Sequence, residues 1–254
     1  MYVTNGSTDL AGAHPAQLTE TRVRIMKQIV EGAWLLALGN ANAILLQQGE
    51  ELALIDAGFP GKEQIVFDAI SKLGRGPSDL KHIVFTHGHP DHIGSAAAIV
   101  SGTGARTYMH ASDAPLAESG GPFRPMSPAP GLVHAMMYKI VWDQNERMQP
   151  FRIDQRIADG ETLPILGGLH AIHVPGHCAG QVALMWEGRG LLLGGDVFIN
   201  ILGVSDPIAF EDEAEGRASQ RKLAALDFQA VAFGHGKAIT KDGPSKLRHF
   251  VATR

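Results

Sequence analysis

Thr86-His87-Gly88-His89-Pro90-Asp91-His92 packs three histidines and a carboxylate into six residues, directly after an apolar run ending at Phe85. At this chain's own composition, His-x-His-x-Asp-His arises by chance in about one sequence of this length per thousand, so the pattern calls for a chemical reason. Buried, such groups carry large desolvation costs unless they are hydrogen-bonded or bind a cation. His87 and His89, two apart on an extended loop, can direct both imidazoles at one metal. Asp91 and His92 begin the next helix and can face a second metal a few ångströms away. One motif thus supplies two half-sites, and further donors stand at strand ends elsewhere in the chain. His177 follows a Pro-Gly turn in His173-Val-Pro-Gly-His-Cys-Ala-Gly180, Asp196 lies in Gly194-Gly-Asp-Val-Phe198, and His235 lies in Phe233-Gly-His-Gly236. These donors are all N or O, a mixture that suits Zn2+ and that Mn2+ or Fe2+ would also accept. Cys178 adjoins a candidate ligand but reads as a small buried side chain. His173, ending a strand, is placed to orient a ligand nearby; His14, His82, His110, His134, His170 and His249 read as structural or solvated.

The elements that must position these groups follow from periodicity. Residues 1–20 form a polar arm, expected to be flexible. Short β-type runs follow at Trp34 to Leu38, Ala43 to Leu46 and Leu52 to Ile55, which read as successive antiparallel strands. Lys62 to Leu73 has helical spacing and stops at Gly74; a strand at His82 to Phe85, a helix at Ile93 to Val100 and a strand at Ala105 to His110 come next. Strand, helix, strand implies a layered α/β core. The stretch at about 119–150 interrupts this order, with Pro122, Pro125, Pro128 and Pro130 close together and then apolar residues at helical spacing from Leu132 to Val141. It reads as an insertion whose helix either packs on the core or walls a substrate site. Strands resume at Gln155 to Ile157, Leu163 to Leu166, His170 to Val174, Val182 to Trp186 and Leu191 to Leu193, and a helix covers roughly 212–226. The acidic residues Glu211, Asp212, Glu213 and Glu215 at its start read as carboxylates favoured by the positive end of the helix. The halves echo each other: Leu52-Ala-Leu-Ile-Asp56 parallels Leu191-Leu-Leu-Gly-Gly-Asp196, and Phe85-Thr-His87-Gly88 parallels Phe233-Gly-His235-Gly236. Such repetition predicts a duplicated α/β unit packed as a pseudo-symmetric sandwich, with a site at the seam.

Composition bounds the rest. The 254 residues, 44% hydrophobic and 19% charged, are enough for one compact domain over 21–254. Lys and Arg number 22 against 26 Asp and Glu, which gives no basic surface for nucleic acid. A single cysteine excludes an intrachain disulfide and fits a reducing compartment. With no secretory signal and no apolar run long enough to span a bilayer, the expectation is a cytoplasmic chain without a membrane partner. A homodimer stays open.

On these motifs the chain resembles the metallo-β-lactamase-fold superfamily, whose five motifs match in order from about Asp56 to His235. The resemblance implies a four-layer αβ/βα sandwich with mixed sheets in two pseudo-symmetric halves, and two divalent metal ions per chain. It implies His87, His89 and His177 on the first metal, Asp91, His92 and His235 on the second, and Asp196 bridging them. Asp56, in Leu54-Ile-Asp-Ala-Gly58, matches the family's aspartate that supports the metal loop without binding metal.

The chemistry that follows is hydrolysis. A pair of divalent ions holds a bridging hydroxide near neutral pH, which attacks a polarised carbonyl, and Asp91 can accept or return the proton. True β-lactamases of this fold usually carry Cys or Ser where Asp196 stands, so the resemblance is nearer to hydroxyacylglutathione hydrolases and acyl-homoserine lactonases. The expected substrate is a small lactone or thioester. The helical extension of the former and the tyrosine of the latter, replaced here by Ile199, are both missing. β-Lactam hydrolysis and mononuclear-iron persulfide oxygenation are the alternatives. Met136, Met137, Tyr138, Trp142, Phe198 and Ile199 are the expected lining of an apolar substrate pocket.

Overall fold

The structure, a computed structural model, describes residues 26–254; the predicted arm at 1–20 and His14 lie outside the described residues. The first half of the chain builds a seven-stranded sheet in sequential order. Its strands are β1 (Met26–Val30), β2 (Ala33–Ala37), β3 (Asn42–Gln48), β4 (Glu51–Ile55), β5 (Leu80–Val84), β6 (Arg106–His110) and β7 (Gln155–Ile157). β1 to β4 pair antiparallel, whereas β4 to β7 pair parallel. The second half builds a five-stranded sheet from β8 (Thr162–Leu163), β9 (Leu169–His173), β10 (Val182–Trp186), β11 (Leu191–Leu193) and β12 (Ala230–Ala232), the last two parallel.

Parallel neighbours need a crossover, and helices supply them. α1 (Glu63–Lys72) joins β4 to β5; α2 (Pro90–Ile93) and α3 (Ala96–Thr103) join β5 to β6; α4 (Ala114–Ser119) and α5 (Leu132–Val141) lie between β6 and β7. α6 (Glu213–Ala224) joins β11 to β12, and α7 (Gly243–Ala252) closes the chain. Both halves therefore pass from antiparallel to parallel pairing through a helix, as the echoed motifs predict.

Strand alternation distributes the apolar residues over three cores. Along β3, Ala43 and Leu45 face α1 and α3, packing with Val66, Ile70 and Ile99. Their neighbours Ile44 and Leu46 point the other way, onto Leu169, Leu184 and Leu191 of the second sheet. The outer face of that sheet, with Ile172, Ala183 and Val231, packs on Leu223 of α6 and on Leu247 and Phe250 of α7. Helix, sheet, sheet, helix is the four-layer sandwich expected.

Some boundaries differ from the sequence reading. The helix expected over 93–100 is two, divided at Gly94 and Ser95, where a Cβ at Gly94 would fall on Pro60. The strand expected at 163–166 shrinks to Thr162–Leu163, because Pro164 lacks a donor and Leu166 takes a left-handed φ of 53°. In the insertion the helix forms as expected, but none of its residues is buried: Leu132, Val133, Met136 and Ile140 face solvent. It does not pack as a core helix. No helix among the described residues is long and apolar enough to cross a membrane.

Candidate metal centre

Four strand ends deliver the chemistry. β4 runs into Asp56, β5 into Thr86 and His87, β11 into Asp196, and β12 into His235, so the carboxyl ends of the parallel strands of both sheets meet in one place. There the seven predicted donors converge. His87, His89 and His177 form one group, His87, His92 and Asp196 a second, and Asp91, His92 and His235 a third, with donor atoms in each lying within 4.8 Å of one another. Asp196 touches three of these histidines: Oδ1 is 3.6 Å from His92 Nε2, and Oδ2 is 3.7 Å from His177 Nε2 and 3.1 Å from His235 Nε2. Asp91 Oδ2 is 3.2 Å from His235 Nε2 and 3.7 Å from His92 Nε2.

Each imidazole is held from behind. His177 Nδ1 donates to Ala209 O (2.8 Å), His235 Nδ1 to Asn40 O (2.8 Å) and His92 Nδ1 to Asp56 Oδ2 (3.0 Å). His87 Nδ1 donates to Thr86 Oγ1 (3.0 Å), whose hydroxyl passes its own proton to Asp56 Oδ2 (2.8 Å). In these four the outward bond leaves Nε2 facing inward. His89 is reversed: its Nδ1 lies 3.0 Å from His177 Nε2, and its Nε2 lies toward Cys178 Sγ.

Asp56 orients groups in both halves of the cluster. It also accepts from Thr86 N (2.7 Å) and sits at φ 61°, a left-handed conformation held by these bonds. Replacing it by asparagine keeps the shape but loses the charge that holds His92 and Thr86. Metal affinity is expected to fall by about 10- to 100-fold, read by chelator competition, with the fold retained.

Further supports were not visible in sequence. Asn42 Nδ2 donates to Phe233 O (3.0 Å) and Gly236 O (2.9 Å), tying β3 to the loop of His235. The buried Gln181 amide, turned so that its oxygen accepts from Asp196 N and Val197 N, holds the backbone of that aspartate. These partners are scattered polar residues with no spacing signature, so only the folded chain identifies them.

The donors fit a divalent cation. His87 Nε2, His92 Nε2 and Asp196 Oδ1 are buried with no hydrogen-bond partner among the described residues, a costly state for three groups aimed at one space. Protonation tells the same story. Burial holds His87, His89 and His177 below the usual imidazole range, leaving neutral ligands. In the acidic half burial also lowers His92 and His235, but Asp196 and Asp91 outweigh it: His92 rises well above the usual range and His235 is pushed up to about 10. Burial would raise the carboxyl of Asp196, yet His235 and His92 hold it well below its ordinary range. The carboxylates draw positive charge, which protons provide when no cation does.

A metal ion entering the Asp91, His92, His235 group must displace those protons. Apparent affinity there is expected to rise about tenfold per pH unit for each proton released, and to weaken as pH falls. Calorimetric titration with Zn2+ between about pH 6 and 8 in buffers of differing ionisation enthalpy counts the protons. The same raised group contributes stability to the metal-free chain that is fully present below pH 6.5 and lost as pH rises through about 10.

The predicted pocket residues separate. Trp142 packs edge-on against His89, with ring centroids 5.1 Å apart, and Tyr138 stacks on Trp142 at 6.4 Å while donating to Met126 O. Met136 and Met137 are largely exposed on α5. Phe198 is not a wall residue: it is wholly buried in the core beneath α7, 5.7 Å from the ring of Phe250, and Ile199 beside it is buried too. Their apolar character served the core.

Overlapping groups of imidazole and carboxylate donors at the strand ends of an αββα sandwich define a divalent-metal-binding protein. The chain belongs to the metallo-beta-lactamase superfamily, whose family model matches residues 36–235. YflN of Bacillus subtilis (strain 168), named a probable metallo-hydrolase, is 29% identical over 244 residues, which cover 88% of this chain and 90% of that protein. An atrochrysone carboxyl ACP thioesterase of Pseudocercospora fijiensis (strain CIRAD86) is 25% identical over 217 residues, 85% of this chain and 53% of that protein. Among solved structures, the Rm3 metallo-beta-lactamase superposes with a TM-score of 0.68 over 90% of each chain at 20% identity, a likeness of fold. Family, fold and clusters together make this chain a metal-dependent hydrolase.

Proposed function

We propose that the chain cleaves a carboxylic ester-type bond, a lactone or thioester, with two divalent ions, most simply Zn2+. His87, His89 and His177 would hold one, Asp91, His92 and His235 the other, and Asp196 both. The observation that carries this reading is Asp196, a single buried carboxylate within 3.1 to 3.7 Å of histidines from both groups. Bound there, the ions supply Lewis acidity toward a carbonyl and a water deprotonated near neutral pH.

The chain's own residues do the rest. Asp91 is the more open of the two inner carboxylates, its side chain 23% exposed against 5% for Asp196, and can take a proton and return it to a leaving group. Trp142 presents beside His89 an indole Nε1–H with no partner among the described residues, a donor for a substrate oxygen, and shields that ring from water. The thioesterase name of one relative supports an acyl substrate, and the exposed apolar face of α5 next to Trp142 suits an acyl chain.

The test is turnover of a homoserine lactone, an acylglutathione, an aryl ester and a β-lactam, with and without chelator, beside metal analysis. About two zinc ions per chain and chelator-sensitive cleavage of lactone or thioester support the reading. One iron per chain with persulfide oxidation, or cleavage of the β-lactam alone, overturns it. Replacing Trp142 and Met137 by alanine is expected to shift selectivity among acyl lengths by about tenfold, on the order of 1 to 2 kcal/mol of lost apolar contact, with metal content intact. Unchanged relative kcat/KM across a chain-length series would remove α5 from the substrate site.

A further inference from the structure

Beside His89 lies a charged network that the reaction does not use. Arg124, from the proline-rich insertion, donates from Nε to both oxygens of Glu211 (2.9 Å each), from Nη2 to Asp113 Oδ1 and to Cys178 Sγ (3.3 Å), and from Nη1 to Ser112 O (3.0 Å). Asp113 is wholly buried, and its second oxygen accepts from Gly88 N (2.9 Å) and from the Cys178 thiol (3.1 Å), while Oδ1 accepts from Gly180 N (2.9 Å). Glu211 Oε2 accepts from Ala179 N (2.8 Å).

The backbone groups in this network share one property. Gly88 lies between His87 and His89, while Ala179 and Gly180 follow His177 and Cys178. One loop leaves the first sheet and the other leaves the second. Asp113 bonds to both, Glu211 bonds to the second, and the guanidinium joins the two carboxylates. Gly180 has no room for a side chain, since a Cβ there would fall on Asp113 Oδ1. Without Arg124 the two carboxylates would face each other uncompensated around a buried thiol, and the acceptors that align Gly88, Ala179 and Gly180 would drift or hydrate. Lysine cannot replace the fork, because it is a single charged point and cannot bond both carboxylates in one plane.

We propose that Arg124, clamping Asp113 and Glu211, is a positioning residue that sets the spacing of the His87–His89 and His177 loops, so that the insertion controls one half of the metal centre. This rests on the reading of His87, His89 and His177 as ligands to one ion. The Asp91, His92, His235 half does not touch the clamp in any of the bonds above.

The experiment is a Zn2+ binding isotherm on the full chain and on Arg124→Ala, Arg124→Lys, His177→Ala and His235→Ala, with thiol modification of Cys178 measured in the metal-free proteins. Arg124→Ala is expected to weaken one zinc equivalent by about 10- to 100-fold and leave the other near wild type, matching the isotherm of His177→Ala and not that of His235→Ala. Arg124→Lys should recover only part of the loss. Cys178, buried in the wild type, should become accessible in Arg124→Ala, read at alkaline pH because loss of the guanidinium leaves the thiol facing two carboxylates. Equal weakening of both equivalents together with a lowered Tm would reduce the network to a structural one and overturn the proposal, as would wild-type binding with Cys178 still protected. Should Arg124→Ala fail to fold, Glu211→Gln, which removes a charge at nearly constant shape, carries the same comparison. A wild-type chain that takes up no zinc would sink the metal reading and this proposal with it, whereas a wild-type chain that binds two zinc ions and an Arg124→Ala isotherm identical to it would sink the proposal alone.

Discussion

Replacing Asp196 by alanine is expected to lower kcat/KM by roughly a thousand-fold or more, about 4 kcal/mol of lost transition-state stabilisation, and to reduce bound metal below two ions per chain. This carboxylate faces histidines of both groups at once: Oδ1 faces His92, and Oδ2 faces His177 and His235. Removing it leaves His92 Nε2 and His235 Nε2 with Asp91 as their remaining carboxylate and leaves His177 Nε2 with none among these contacts. His235 would lose one of the two carboxylates that hold its proton, so its pKa of about 10 should fall toward the ordinary imidazole value. Metal analysis and histidine NMR titration read both effects, and the variant should still fold. Undiminished activity with full metal content would show that the carboxylate is not shared.

Gly234→Ala is expected to be damaging although it substitutes none of the proposed ligands. A Cβ at Gly234 would fall on Asp196 Oδ1 and lie 2.6 Å from His92 Cε1. Neither neighbour can yield cheaply, since Asp196 is held through its backbone by Gln181 and His92 through Asp56. Displacing a ligand by about an ångström costs roughly a hundred-fold in rate. The expected result is a folded protein destabilised by about 1 to 3 kcal/mol, with weakened metal binding and a loss of that order in kcat/KM. A crystal structure of the variant with Asp196 unmoved would contradict this account. The comparison with Asp196→Ala separates loss of a donor from loss of its placement.

Much of the site was legible in the sequence because its donors are chemically rare and stand at recognisable punctuation. His87, His89, Asp91 and His92 are contiguous, and His177, Asp196 and His235 each follow an apolar strand with a glycine beside them. The strands and the crossover helices showed through alternation and helical spacing. Less legible were residues whose role depends on a neighbour distant in the chain. Glu211 reads as one of four acids favoured by the start of α6. In the fold only Asp212 caps that helix, accepting from Glu215 N, while Glu211 turns back to Arg124 and Ala179. Asp113 and Arg124 carried no signal, since a lone aspartate after a strand and an arginine among prolines each suit solvent. Phe198 reads as a pocket wall, but Val197 and Phe198 lead into the core under α7.

What the chain decides by itself is the inventory: two echoed α/β halves, each ending its parallel strands in an imidazole or a carboxylate, and donors suited to a divalent cation. That follows from local rules, because periodicity of burial and the chemistry of a side chain need no knowledge of distant partners. Only the packed structure decides which nitrogen of each histidine faces inward, which carboxylate faces both histidine groups, and that an arginine from the insertion bonds the two carboxylates that hold the loops of the two sheets. Those outcomes depend on distances between residues up to about two hundred positions apart, such as Asn40 and His235, and such distances exist only once the sheets have closed on each other.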